Sequence, residues 1–121
     1  MAPLLKKVNL AEKLASFDEI FSPRIVGSYN DSKIQVAKTK GPFVWHSHPD
    51  TDDFFLVLRG KLTVELRDGE VEVGEGELLV VPRGVEHRPV AAEEAHILLL
   101  ERRGTPNTGD AAAEPAPEVE I

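Results

Sequence analysis

The stretch Phe43-Val44-Trp45-His46-Ser47-His48-Pro49-Asp50-Thr51-Asp52-Asp53-Phe54-Phe55-Leu56-Val57-Leu58-Arg59-Gly60 carries the reading of this chain. Side chains of an extended segment alternate between faces, so His46 and His48 point the same way, roughly 6 to 7 Å apart along the backbone. Two imidazoles on one face invite a metal ion. Pro49 begins a break of four residues, after which the run 54–58 reads as a new strand that ends at a turn on Gly60. Strict alternation from His48 would bring Asp52 to the histidine face, whereas a reset of register in the Pro49 loop brings Asp53. Both carboxylates are candidates for a third ligand, with Asp53 first.

Outward from this stretch the pattern is one of short strands punctuated by Gly and Pro. Runs 24–28 and 33–38 are separated by the turn-forming pair Asn30-Asp31. Beyond residue 60 the runs 61–66, 70–73, 78–81, 88–90 and 96–101 follow, with turn signals at intervals of about 8 to 12 residues. Leu62, Val64 and Leu66 alternate with Lys61, Thr63, Glu65 and Arg67, as a strand with one buried and one wet face requires. Asp68-Gly69 reads as a hairpin turn. Many short strands in a small chain point to an all-β closed barrel or jelly roll, because closure removes exposed edges. A single short helix is expected near the amino end, where Asn9-Leu10-Ala11-Glu12 has the form of a capping box and Leu10, Leu14 and Phe17 fall at helical spacing.

Composition limits the function. The chain has 121 residues, room for one domain, and carries a formal charge of −7 with no basic stretch, which argues against a nucleic-acid partner. No cysteine is present, so thiolate metal sites and cysteine nucleophiles are excluded and any metal must be held by nitrogen and oxygen. The amino end has no long apolar core with a cleavage signal, and no apolar run approaches the ~20 residues of a membrane-spanning helix. A cytoplasmic protein with no membrane partner is the expectation. Residues 104–121 are rich in Ala, Pro and Glu, with four acids, Asp110, Glu114, Glu118 and Glu120, and no base. This segment reads as a disordered acidic tail after a single barrel domain spanning 1–103.

A second cluster completes the chemistry. Gly76, Pro82, Gly84 and His87 occur with five, one and two residues between them. Together with His46, His48, Asp53 and Gly60, this spacing resembles the two motifs of the cupin superfamily. The first motif is a glycine, His-x-His, a short gap, a glutamate, six residues and a glycine; the second is glycine, five residues, Pro-x-Gly, two residues and histidine. The resemblance spans residues 41–91 and departs from the pattern in three places. Gly41 lies one residue nearer His46 than usual, Asp53 replaces the glutamate, and Ala91 stands where an asparagine usually closes the second motif. Asp53 is one methylene shorter than glutamate, about 1.5 Å less reach.

The resemblance is closest to small one-domain cupins, often labelled mannose-6-phosphate-isomerase-like. It implies a double-stranded β-helix, or jelly-roll barrel, with a metal held by His46, His48, Asp53 and His87. Three imidazoles and a carboxylate suit one divalent transition-metal ion, Fe, Ni, Zn, Mn, Co or Cu, with positions left open for a ligand. Phe43, Phe55 and Val57 are expected to wall a pocket for a small organic molecule. His96, which shares a face with Leu98 and Leu100, is expected inside the barrel and is a candidate for the same pocket. Arg83 and Glu86, in the loop before His87, read as solvated charges.

Apolar residues on both faces of the run 54–58 imply that its outer face is covered by a second sheet or another subunit, and cupins commonly form homodimers through such a face. Two functions follow from the resemblance. One is a metal-dependent enzyme of isomerase or dioxygenase type acting on a small oxygenated metabolite. The other is a non-catalytic small-molecule-binding or sensor barrel. Fold alone does not choose between them.

Overall fold

The computed structural model describes residues 5–121. Residues 1–4, the start of the amino-terminal segment read above for targeting signals, lie outside the described residues. Helix α1 (Leu10–Ala15) precedes eight strands: β1 (Arg24–Tyr29), β2 (Ser32–Pro42), β3 (Asp53–Arg59), β4 (Lys61–Leu66), β5 (Gly69–Gly74), β6 (Leu78–Val81), β7 (His87–Arg102) and β8 (Val119–Glu120). The helix starts where the capping box places it, with the Asn9 side chain accepting from the Glu12 amide at 3.0 Å. No helix among the described residues is long and apolar enough to cross a membrane.

The sheet runs in the order β5-β4-β7-β2-β1-β8, and β3 joins it by pairing with β7 and β6. The fold turns on β7, which is 16 residues long. Its first residues, His87–Val90, pair with β4, while His96–Leu100 pair with β3, and β2 pairs with it from Val90 to Arg102 across one register shift. One long bent strand therefore serves both sheets of the jelly roll. The two separate runs expected at 88–90 and 96–101 are halves of this strand. Ala91, Ala92, Glu93, Glu94 and Ala95 lack β-formers, and β2 pairs with Ala91 and Ala95 at the two ends of this stretch while residues 92–94 bulge out, exposed, where the register shifts.

Alternation decides what each face does. Val57, Leu62, Val64, Val73, Ala91, Ala95 and Ile97 are buried in the barrel core. On the opposite side, Leu14 and Phe17 of the amino-terminal segment pack with Val26 and Val36 over the outer face of β1 and β2. The helix therefore supplies part of the outer cover. The turn glycine Gly60 has φ +85°, which strains any other residue, and a Cβ there would lie 3.2 Å from the Glu94 carbonyl, a tight approach of the β3–β4 corner to β7.

Residues 104–121 pack onto the barrel, which corrects the expectation of a disordered tail. Thr108 is buried, and Asp110 accepts from the Ser47 amide at 2.7 Å and from its hydroxyl at 2.8 Å. Asn107 Oδ1 accepts from the Ala116 amide at 2.9 Å, and β8 pairs in parallel with Arg24 and Ile25 of β1. Gly109, at φ +56°, lies so tightly against the Ser47 carbonyl that a side chain has no room. The tail has few apolar residues to bury, so composition suggests disorder. It is held instead by hydrogen bonds to polar groups of the barrel, which composition does not display.

Candidate metal centre

The four residues singled out by spacing come together from three parts of the chain. His46 and His48 lie on the segment between β2 and β3, Asp53 is the first residue of β3, and His87 is the first of β7. The 43–48 segment is not a continuous strand. It is clamped instead by an isolated bridge, in which the His46 amide donates to the His87 carbonyl at 3.0 Å and the His87 amide to the His46 carbonyl at 2.9 Å. The turn at Pro82-Arg83-Gly84 closes on the same segment, with the Gly84 amide donating to the His48 carbonyl at 3.0 Å.

The loop 49–52 performs the reset of register. Asp53 is buried, while Asp52 is exposed and accepts from the Arg83 amide at 3.0 Å. The geometry thus brings Asp53, and not Asp52, to the histidines. Arg83 lies 3.6 Å from Asp52, and Glu86 pairs with Arg67 at 2.6 Å, so the two loop charges are engaged at the surface.

Ring orientation is set by backbone carbonyls. His46 Nδ1 lies 2.8 Å from the Val44 carbonyl and His87 Nδ1 lies 2.9 Å from that of Val85. A carbonyl only accepts, so each Nδ1 carries a proton and each Nε2 is turned to the interior. Asp53 Oδ2 is met by His87 Nε2 at 3.0 Å and by His48 Nε2 at 3.2 Å, the second without hydrogen-bond alignment. With His87 Nδ1 committed to Val85, Nε2 is the ring atom left to face Asp53, and it is the atom a cation would take.

The charges respond to this crowding. Burial holds the His46 ring below the usual imidazole range, against the opposing bond to Val44. Burial also opposes charge on His48, but the Asp53 carboxylate outweighs it and raises that ring. Burial would push Asp53 up, yet its contacts with His48 and His87 hold it below the ordinary carboxylate value.

The donor set fits a metal ion. One ligand atom from each of His46, His48, Asp53 and His87 lies within 4.8 Å of the others, and all four residues are buried. Both ring nitrogens of His48 and Oδ1 of Asp53 are buried without a hydrogen-bond partner. Orphaned polar atoms in an interior are costly, and a central cation is the partner that a nitrogen lone pair and a carboxylate share.

A cavity of about 50 Å³ adjoins the cluster, touching His46 and Asp53 and lined on its apolar side by Phe21, Phe43 and Phe55. Of the residues expected to wall a pocket, Phe43 and Phe55 do so, whereas Val57 is packed in the barrel core. His96 is not interior. It follows the outward parity of Leu98 and Leu100 and lies in the groove between α1 and the barrel, 2.9 Å from Glu94. The inward residues of that half of β7 are Ile97, Leu99 and Glu101.

Sequence reasoning missed Glu101, which lines the cavity with Oε2 buried and unpartnered. Burial, with the Asp53 charge next, pushes its carboxyl up to about 7. The signal was available: a charge two residues beyond Leu99 shares the parity of Ile97 and Leu99. Phe21 and Asn107, also in the lining, come from segments that carry no motif.

Comparison with known proteins bears on this geometry. The family described as Cupin domain matches residues 33–101. The uncharacterized protein YdbB of Bacillus subtilis is 36% identical over 90 residues, covering 73% of this chain and 74% of its own length. A cupin-2 domain containing protein from Shewanella frigidimarina superposes with a TM-score of 0.79 at 41% identity, over 79% of this chain and 94% of that one. A 3-hydroxyanthranilate 3,4-dioxygenase of Jannaschia sp. is 30% identical over 91 residues, which is 69% of this chain and 50% of the enzyme. The chain thus spans about half the length of that dioxygenase. With the two-motif spacing, the bent strand shared between both sheets and the family match all in agreement, the chain belongs to the cupin superfamily.

Proposed function

We propose that this protein is a metal-dependent cupin enzyme that holds one divalent transition-metal ion at His46, His48, Asp53 and His87 and oxygenates a small oxygenated metabolite. The observation that carries the reading is the convergence of four buried N and O donors, several of them unpartnered, on one point beside a cavity. Such an ion, when bound, would polarise ligand oxygens and, if redox-active, support chemistry with dioxygen. The chain's own residues do the rest. Val44 and Val85 hold two rings with Nε2 inward, Asp53 contributes negative charge, and Phe21, Phe43 and Phe55 exclude water from one side. Oxygenation is favoured over isomerisation because the Jannaschia relative bears a dioxygenase name.

The test is metal analysis by mass spectrometry on protein purified without an affinity tag or added metal, together with dioxygen consumption over a panel of hydroxylated organic acids. About one equivalent of a single ion is expected, with turnover that His87→Ala abolishes while the fold is retained. Protein that holds no metal as purified and takes up none on addition overturns the reading, as does turnover unchanged by the substitution.

The outer face of β3 and β6 is the surface we assign to a second copy of the chain. Leu78 is 59% exposed and Val80 45% exposed, and they lie opposite Leu56 and Phe54 across the strand pair. Among the described residues β6 pairs with β3 alone, which leaves its far edge to another strand. Placing charge on the apolar patch with Leu78→Lys and Val80→Lys is expected to convert a dimer to a monomer in sedimentation velocity. A wild-type protein that sediments as a monomer at high micromolar concentration removes this assignment.

A further inference from the structure

The face of β2 that looks into the barrel carries a polar pair that the metal centre does not use. Lys33 and Gln35 have the same parity as Ala37 and Thr39, which line the cavity beside His46 and Asp53. The Lys33 side chain is only 3% exposed. A buried ammonium is costly unless bonded to an anion, so its partners say what the position is built to hold.

Both hydrogen-bonding partners of Lys33 come from the tail. Nζ lies 2.7 Å from Glu118 Oε1 and 3.0 Å from the Thr105 carbonyl. The barrel's own carboxylate, Glu101, stands opposite on β7 but at 4.0 Å, with that oxygen unpartnered. Lys33 therefore has no carboxylate of the barrel within hydrogen-bonding distance, and a residue from the carboxyl end supplies one. Glu118 is 54% exposed on its side chain, and the strand that anchors it is only two residues long. It is an easily exchanged partner.

The surroundings have the form of a ligand site. A cavity of about 200 Å³ lies between Lys33, Gln35 and the tail residues that cover them. Gln35 lines it with Oε1 buried and unpartnered, an acceptor waiting for a donor. Pro23 and Asn107 line both this cavity and the one beside the metal residues, so the two are adjoining compartments.

We infer that Lys33 is the carboxylate-binding residue of the ligand chamber, that Gln35 receives a hydroxyl or amino donor of the same molecule, and that Glu118 occupies the Lys33 position as a built-in competitor. The inference deepens the proposed function and rests on its reading of the barrel interior as a ligand chamber. The ligand class is a small hydroxy- or amino-substituted organic acid, its carboxylate on Lys33 and its remaining oxygens directed past Asn107 toward the metal centre. Entry of the acid displaces Glu118 and lifts residues 115–118 from the cavity.

The test compares 3-hydroxybenzoate with its neutral counterpart 3-hydroxybenzamide by isothermal titration into the full-length protein at pH 7.5, in wild type and Glu118→Ala. The acid is expected to bind the variant about tenfold more tightly than wild type, the factor for a competitor in place about nine-tenths of the time. The amide, which offers Lys33 no anion, should bind either protein more weakly than the acid binds the variant. Lys33→Met should erase the preference for the acid. That variant also removes a buried hydrogen-bond donor, so the Glu118→Ala comparison stands as the deciding one. Equal affinity of the acid for wild type and Glu118→Ala, or no preference for acid over amide in the variant, overturns the inference. Metal uptake measured on the same samples separates the two readings. Normal uptake without a gain in acid binding overturns the Lys33 assignment alone, and a gain without any uptake overturns the metal centre alone.

Discussion

Replacing His46 and His48 together by alanine is expected to give a folded barrel whose melting temperature no longer responds to divalent metal. In the wild type the four donors are within 4.8 Å of one another. An ion that binds only the folded chain adds stability by mass action, about 4 kcal/mol when present at a thousand times its dissociation constant. For a domain of this size that is an increase in Tm of about 15 °C. Removing two of the four proposed ligands leaves His87 and Asp53, which already bond to each other at 3.0 Å, and no chelate to speak of. The fold should survive, because the barrel core is a separate set of residues that includes Val57, Leu62 and Val64. Thermal scans of both proteins with chelator and with added zinc, nickel or iron(II) give the answer. A metal-induced rise in the double variant equal to that of the wild type would falsify the assignment of these two ligands.

Metal-free protein is expected to lose stability as the pH rises from 5 to 8, with Glu101 as the cause. Its carboxyl is pushed up to about 7 from an ordinary value of 4.5, chiefly by burial and then by the Asp53 charge. Below the unfolded value both states hold the proton and the group contributes nothing. Between the two values the unfolded chain releases it while the native state keeps it, so the native state binds more protons and stability falls with pH. The loss levels off above the folded value, at about 3 kcal/mol. Glu101→Gln should flatten this dependence, being close to neutral at pH 5 and stabilising at pH 8. Urea melts in EDTA at several pH values measure it. Parallel profiles for the two proteins would show that another group is responsible.

Much of the barrel and its centre could be read from residue spacing. His-x-His and the Gly, Pro-x-Gly, His series are short-range patterns in which turns and clamps are made by neighbours in sequence, as the Gly84 amide bonding to the His48 carbonyl illustrates. The Asn9 cap is equally local, because the bond that starts the helix spans three residues. Leu62 and Val64 were legible as core for the same reason, since alternation within one strand sorts inner from outer.

What failed to be legible depends on long-range pairing. His96 was read as interior because a run of Leu follows it, but parity along β7 is set by pairing with β2 and β3, which turns Ile97, Leu99 and Glu101 inward. The break at 91–95 hid the single strand because a bulge at residues 92–94 interrupts the pattern, and only pairing with β2 at Ala91 and Ala95 joins the two halves. The tail looked disordered because its ties, Glu118 to Lys33 and Asp110 to Ser47, bridge 85 and 63 residues of chain.

By itself, then, the amino-acid sequence determined the all-β class, the barrel's strand rhythm, the absence of any thiolate and the set His46, His48 and His87, all carried by contacts between near neighbours and by face alternation. Tertiary structure alone decided that Asp53 and not Asp52 turns inward, that Glu101 and Lys33 face each other inside the barrel, and that the carboxyl-terminal segment lies over them. The reason is physical. A side chain's face follows from its own strand, but which groups share an interior is settled only when distant strands pair and bury their polar atoms together.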